Sequence, residues 1–366
     1  MRAKITLSKT ALLANYEIIK RKVPYLKLLP MIKANAYGHG AQFVARTLMN
    51  EKQLHGFGVA TFEEAISVRE CLKSKALPIL VFSDNAPWRV EQLNCCEKYG
   101  LQPVFSEIVS LLEFQKQKYS KTVQAHIEVN TGMNRLGIPV DSLSLVRFAP
   151  ASILTHLAEA DLPASKLTRT QITNFEKVVA WRNERYAHTL LHFANSSTIW
   201  NAKQFPLLKE TNLARPGLSL YGVRPFEKAK EDGLKRVMTF SAPILNRIFL
   251  ERGDQVGYGG TYICKSVRGE WIAVLGAGYA DGVMRSLSQK GMAVYPQSKT
   301  KRVKVKFLGR VSMDLIAVQG TDEMKVGDYV TLWGNDIDPY VQANLAGTIP
   351  YELTTRVGER VERIYE

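Results

Sequence analysis

The stretch "KLLPMIKANAYGHGAQFVARTLMNEKQLHGFGVA", residues 27–60, decides the fold. A short apolar run over 27–33 is followed by an amphipathic helical pattern, "GAQFVARTLMN", and then by a second short run over 56–60. Two strands joined through a helix lie parallel, because the crossover carries the chain back to the end where the first strand began. The first run ends in Lys33, and an ammonium at an apolar strand end is costly to bury unless the site uses it.

Working outward, the same alternation continues to residue 222. The remaining runs are "PILVF" (78–82), "LQPVF" (101–105), "QAHIEVN" (124–130), "ASILTHL" (151–157), "TLLHFAN" (189–195) and "LARPGLSLYG" (213–222), which makes eight in all. Helical patterns such as "TFEEAISVREC" and "PWRVEQLNCCEKYG" separate them. Thr61 and Glu64 have the spacing of a capping box, and Pro87 suits a first helical position. Eight such repeats predict a closed (β/α)8 barrel of the α/β class. An open doubly wound sheet would carry a G-x-G-x-x-G turn after its first strand, and "KANAYGHG" is not one.

Beyond residue 236 the pattern changes. "VMTFSAPILNRIFL", "EWIAVLGAGYA", "GMAVYP", "KRVKVKFLGRVSMDLIAVQ" and "GDYVTLWG" read as strands between glycine turns, with one helical stretch near "YVQANLAGT". The sequence thus divides into a barrel over 1–236 and a mainly-β domain over 237–366. A chain of 366 residues is long enough for two cores.

Composition narrows the function classes. The formal net charge is +15, but the basic residues are dispersed, and the densest run alternates Lys and Val between Lys301 and Phe307 as a half-buried strand does. No nucleic-acid partner is expected. No apolar stretch reaches the roughly 18 residues of a membrane span, and the first twenty residues lack a secretory apolar segment. A cytoplasmic protein is expected, with no membrane partner. Cys71, Cys95, Cys96 and Cys264 have neither the spacing of a zinc site nor that of a disulfide framework, so free thiols and no metal are expected.

Barrel enzymes build their sites at the C-terminal strand ends. Lys33, Arg135, His156, Ser196 and Arg215 all fall there. Each also has a plain structural alternative: a solvated lysine, an arginine on turn carbonyls, a core histidine, a helix-capping serine. Together they permit a specific chemistry. A desolvated lysine has a lowered pKa and can form a Schiff base with an aldehyde cofactor. Ser196 with the backbone N–H groups of Gly217 and Leu218 can hold a phosphate where barrels commonly do. A lysine, an aldehyde and a phosphate handle describe pyridoxal phosphate.

The chain resembles the alanine racemase family nearly end to end, through "KANAYGHG", "TGMNRLG", "ANSS", "RPGLSLYG", "VGYGGTY", "GAGYADG", "GRVSMD" and "TIPYE". The resemblance implies an N-terminal (β/α)8 barrel, a C-terminal β domain and a homodimer with shared active sites. It implies interconversion of L- and D-alanine through an external aldimine of pyridoxal 5'-phosphate, supplying D-alanine for cell-wall peptidoglycan. Lys33 would carry the cofactor and act as one base; Tyr258, from the second subunit, would act as the other. Tyr37 and Tyr351 would contact the phosphate with Ser196, Gly217 and Leu218. Arg215 would meet the pyridine nitrogen, and His156 would bridge Arg215 to Tyr258. Arg135 and the Met313 N–H would hold the substrate carboxylate, Tyr279 would narrow the entrance, and Asp314 would support that loop.

One position departs from the family pattern. Many members carry a lysine, modified to a carbamate, seven residues before the "RLG" arginine; here that position is Glu128. A carboxylate can accept bidentate arginine hydrogen bonds directly, so Glu128 is expected to orient Arg135. The competing reading is a broader racemase acting on serine, lysine or arginine. A decarboxylase of this architecture would want an acidic group at the pyridine nitrogen in place of Arg215.

Overall fold

The computed structural model describes residues 2–83, 86–117, 122–230, 232–298 and 300–366. The chain divides into two compact units: Leu13–Leu220 with Arg224–Leu234, and Met1–Leu12 with Tyr221–Val223 and Lys235–Glu366.

The first unit is the parallel barrel. Strands β2 (Lys27–Leu28), β3 (Phe57–Val59), β4 (Ile79–Val81), β5 (Gln102–Phe105), β6 (His126–Asn130), β8 (Ser152–Leu154), β9 (Leu190–His192) and β10 (Leu213–Ala214) correspond to the eight runs; a short β7 (Ile138–Pro139) pairs beside β6. Neighbours from β3 to β9 pair parallel, as do β10 and β2. Parallel bridges from Met31 to Gly58 and from Ala194 to Ala214 complete the ring. Leu29, Leu80, Val104 and Leu154, from four strands or their ends, meet as one buried cluster with Phe82 against it. Strands β3, β4 and β8 are buried throughout, as expected when helices cover a parallel sheet.

Capping follows the sequence in most places. Thr61 Oγ1 accepts from the Glu64 N–H at 3.3 Å, opening the helix Phe62–Leu72. Two expectations need correction. Pro87 is not a first helical residue: the helix begins at Val90, with Arg89 as its cap. The run 213–222 is extended only at Leu213–Ala214, after which Leu218–Tyr221 tighten into a 3-10 turn.

The second unit is mainly antiparallel. Strands β11 (Met238–Leu250), β14 (Glu270–Leu275), β15 (Met292–Pro296), β16 (Arg302–Leu308), β17 (Ile316–Gln319) and β18 (Tyr329–Trp333) form a closed six-stranded ring. Closure follows from the length of β11, whose first half pairs β18 and whose second half pairs β14. In β16 the lysines Lys304 and Lys306 are exposed while Val305 and Phe307 are buried, the half-buried strand its alternation predicted. A separate hairpin, β12 (Gln255–Val256) with β13 (Tyr262–Ile263), flanks Tyr258.

The sequence division placed the N-terminus with the barrel, and here the structure differs. Strand β1 (Lys4–Leu7) pairs antiparallel with β11 and parallel with β19 (Glu362–Tyr365), burying Ile5 and Leu7 in the second unit. Nothing local in "KITL" could reveal that its partners lie more than 230 residues on. Among the described residues no helix is long and apolar enough to cross a membrane, and the four cysteines are free.

Candidate active site

Lys33 does not end an extended strand. It opens a single turn, Lys33–Tyr37, in which Ala34, Asn35 and Ala36 take φ of 50°, 51° and 55°. This is left-handed helical backbone, which costs roughly 1–2 kcal/mol per L-residue. The turn is held by its neighbours. One oxygen of Glu64 accepts from the Ala34 N–H at 2.6 Å and the other from the Ala60 N–H at 2.8 Å. His39 Nδ1 bonds the Ala36 and Tyr37 carbonyls, each at 3.0 Å, and Asn35 Oδ1 accepts from the Ala41 N–H at 2.8 Å. Strain so over-determined is a feature of functional sites.

Five charged or titratable groups converge beyond this turn. Burial lowers the Lys33 pKa; Arg135 and Arg215 lower it further, while Glu64 and Glu128 oppose them. Burial raises the Glu128 carboxyl against the pull of Arg215, Arg135 and Lys33. His156 is pushed down to about 3 by burial and then by Arg215, Arg135 and Lys33, so its ring is neutral. Mutual coupling of this kind places Lys33, Glu128, Arg135, His156 and Arg215 around one space at the barrel rim.

Arg215 is the most tightly held of them. Its Nη1 lies 2.7 Å from His192 Nδ1 and donates to the His192 carbonyl at 3.1 Å, while Nη2 donates to the Thr155 carbonyl at 2.7 Å. Burial brings its pKa down to about 10, which still leaves it cationic at neutral pH. Three of its five N–H groups are committed. Among the described residues no hydrogen bond joins His156 to Arg215; the histidine that bonds Arg215 is His192, which the sequence reading did not single out, and a histidine inside the apolar run "TLLHFAN" was its only signal.

Ser196 lies under a cradle. Its Oγ accepts from the Gly217 N–H at 3.0 Å and from the Ser219 N–H at 3.4 Å, and lies 3.0 Å from Ser219 Oγ. Asn195, not Ser196, caps the short helix that follows. A Cβ at Gly217 would lie 2.7 Å from the Tyr37 hydroxyl, so Tyr37 passes directly over that backbone. Leu218 is buried beside it. Ser219, one position past the residues singled out, is the second addition to the set.

The expected pairing of Glu128 with Arg135 is also not made. Arg135 is exposed in the turn after β6, and among the described residues no ion pair joins it to Glu128. The two are coupled through space rather than hydrogen-bonded.

In the antiparallel unit most of the singled-out residues lie on exposed turns. Tyr258 is 72% exposed between Gly257 and Gly259, both at positive φ. Tyr279 and Met313 are exposed on two loops that touch: the Tyr279 N–H donates to the Ser312 carbonyl and the Ala280 N–H to the Met313 carbonyl, both at 3.0 Å. Arg360 ties these loops by bonding both oxygens of Asp281 and, at 2.6 Å, Asp314. Tyr351 lies in the helix Pro350–Thr355, and burial raises its pKa to about 12.

Comparison with known proteins identifies the family. The family model for the alanine racemase N-terminal domain matches residues 7–225, and that for the C-terminal domain matches 237–365. Alanine racemase of Mannheimia succiniciproducens is 31% identical over 370 residues, covering 98% of each chain. That of Legionella pneumophila is 33% identical over 377 residues at the same coverage. The crystal structure of biosynthetic alanine racemase from Pseudomonas aeruginosa superposes with a TM-score of 0.87 at 28% identity, covering 100% of both chains. The structure of the Bartonella henselae alanine racemase, with covalently bound pyridoxal phosphate, gives 0.86 at 29% identity over 100% of both. With both domain models matched and relatives aligned nearly end to end, the chain belongs to the alanine racemase family of amino-acid isomerases.

Proposed function

We propose that this chain interconverts L- and D-alanine with pyridoxal 5'-phosphate held on Lys33, and that two copies share each active site. The observation that carries the reading is the rim itself. A desolvated lysine coupled to a buried arginine, and a serine–glycine cradle under Tyr37 of the same turn, are the groups that the three ends of that cofactor need. The donor set fits its aldehyde, its ring nitrogen and its phosphate respectively. Gly217 fits as well, since any side chain there would displace the Tyr37 hydroxyl.

Bound there, pyridoxal phosphate supplies a carbonyl for an amine and a conjugated ring that withdraws charge from an α-carbon. The protein does the rest. Lys33, its ammonium form disfavoured by burial, moves the α-proton on one face. Arg215 is a donor that does not give up its proton, so a ring nitrogen facing it stays unprotonated. Charge then remains nearer the α-carbon, which favours reprotonation there over transamination. Ser196, Gly217, Leu218, Ser219, Tyr37 and Tyr351 bind the phosphate.

Inversion also needs an acid–base group on the opposite face. Tyr258 has that role, contributed by a second copy of the chain; its support is exposure on a glycine turn, with no bond among the described residues holding its hydroxyl. Arg135 and the Met313 N–H receive the substrate carboxylate. The product D-alanine serves peptidoglycan synthesis.

Borohydride reduction of the pyridoxal-phosphate-loaded protein should fix the cofactor on the peptide bearing Lys33, and L-alanine should yield D-alanine before reduction but not after. Label on another peptide, or racemisation that survives in Lys33→Ala, would overturn the assignment.

A further inference from the structure

Behind Arg215 the barrel interior is polar where apolar branched residues usually dominate. His192 Nε2 lies 2.8 Å from Ser152 Oγ, and Ser152 Oγ lies 2.6 Å from His126 Nδ1. His126 Nε2 lies 2.9 Å from Gln102 Oε1, and Gln102 Nε2 donates to Gln124 Oε1 at 2.7 Å. The chain therefore runs from Arg215 across β9, β8, β6 and β5 to a surface glutamine. Ser152 and His192 are 0% exposed and His126 is 1% exposed.

Its direction is forced. Arginine has no acceptor, so the His192 Nδ1 facing it must carry a lone pair. A neutral imidazole then bears its proton on Nε2, and Ser152 accepts it. The single Ser152 hydroxyl proton must go to His126 Nδ1. His126 in turn donates from Nε2 to Gln102. Every donor then meets an acceptor, and reversing the His192–Ser152 bond would move the His192 proton to Nδ1, against the Arg215 N–H. Burial together with Arg215 holds His192 well below its ordinary pKa, and burial pushes His126 down to about 3, so neither ring gains the second proton that would break the sequence.

We propose that Ser152 and His126 are positioning residues for the Arg215 guanidinium: they lock His192 in its Nε2–H tautomer, so that Nδ1 holds Nη1 and fixes the face offered to the cofactor's heteroaromatic nitrogen. The tautomer lock stands on the protein alone; its effect on the reaction rests on the reading of Arg215 given above. Ser152→Ala would remove both bonds at the centre of the chain and free His192 to present N–H toward Arg215. That would rotate the guanidinium without removing its charge.

The test begins with nitrogen-15 histidine spectra of the wild-type protein, free of cofactor. The six histidines are assigned by single His→Gln variants. His126 and His192 should both show protonated Nε2 and unprotonated Nδ1 across neutral pH. Protonated Nδ1 on His192 would overturn the proposal without any kinetics. In the loaded enzyme, Ser152→Ala should mix the His192 tautomers, shift the absorbance of the bound cofactor and lower kcat about tenfold, the scale seen when orienting partners are removed. KM should change less than twofold, and Ser152→Thr should restore all three readouts. If Ser152→Ala fails to fold, His126→Gln breaks the same chain one step further out and should mix the His192 tautomers likewise. A variant with unchanged tautomer, spectrum and kcat would overturn the proposal even if it were less stable. Loss of cofactor binding at Lys33 would instead count against the proposed function, and leave the tautomer result standing.

Discussion

Arg215, in the barrel unit, is 4% exposed and commits three N–H groups to neighbours, whereas Tyr258, in the antiparallel unit, is 72% exposed on a turn between glycines. The same contrast holds for their companions. Lys33, Glu128 and Ser196 are buried or partly buried, and the turn at Lys33 is pinned by Glu64 and His39. Tyr279, Met313 and Asp314 are exposed on loops. The barrel half is preorganised: its groups are desolvated, coupled and held before any ligand arrives. The antiparallel half instead presents Tyr258, Tyr279, Met313 and Asp314 to solvent on turns, two of which Arg360 ties together through Asp281 and Asp314.

The largest test of that contrast is Tyr258→Phe. It removes one exposed hydroxyl, so stability should move by less than about 0.5 kcal/mol. Activity should respond very differently. Deuterium exchange into one alanine enantiomer should fall by about 10²–10⁴-fold, the range for losing a general acid–base group, while Lys33 still exchanges the proton on its own face. Equal losses for both enantiomers would make Tyr258 structural and erase the distinction between the halves.

Acid unfolding sharpens the comparison from the other side. All six histidines precede residue 193, within the barrel unit. His39 is held down to about 4 and His126 to about 3, and His192 is well below its ordinary value, each chiefly by burial. A histidine lowered in the folded state contributes stability in full above its unfolded pKa of about 6.5, and loses it as pH falls toward the folded value. Between those two values the unfolded chain binds protons that the barrel does not. The slope is about 1.4 kcal/mol per pH unit for each such group. Glu128, raised by burial, acts in the opposite sense and offsets at most one of them. Urea midpoints should hold steady from pH 8 to 7 and decline from pH 6 to 5, and His126→Gln should flatten the decline by one group's share. A flat profile to pH 5 would mean that these rings are not buried neutral.

Much of this was legible in the sequence, and the limits have physical causes. Eight apolar runs alternating with amphipathic ones carry the barrel because the period of hydrophobicity is a local property. The residues at strand ends follow from the barrel's geometry. The left-handed turn was hidden because alanine and tyrosine ordinarily avoid that backbone, and tertiary bonds from Glu64 and His39 hold them there. The role of His192 was hidden because it depends on which of two histidines, one just past β8 and one in the neighbouring β9, Arg215 meets, and only the packed register decides that. Strand β1 was misplaced because its pairing is with the far end of the chain. Where a residue's partner lay in its own turn or repeat, sequence sufficed; where the partner came from a distant strand, it did not.

The smallest expected effect concerns the cradle residue that has no side chain. Gly217 acts through its backbone alone: its N–H meets Ser196 Oγ, and a Cβ there would crowd the Tyr37 hydroxyl. Gly217→Ala would put a methyl 2.7 Å from that oxygen, closer than van der Waals contact allows, so Tyr37 would have to swing away. Overpacking of this kind costs about 1–3 kcal/mol, partly recovered as the side chain moves. Affinity for pyridoxal phosphate should weaken by about tenfold, equivalent to about 1.4 kcal/mol, with the Lys33 linkage intact once the cofactor is saturating. Adding Tyr37→Phe to Gly217→Ala removes the clashing oxygen and should recover little if, as proposed, the lost hydroxyl also binds the phosphate. A double variant that binds as tightly as wild type would show instead that Tyr37 only fills space, and that the cradle consists of Ser196, Ser219 and backbone alone.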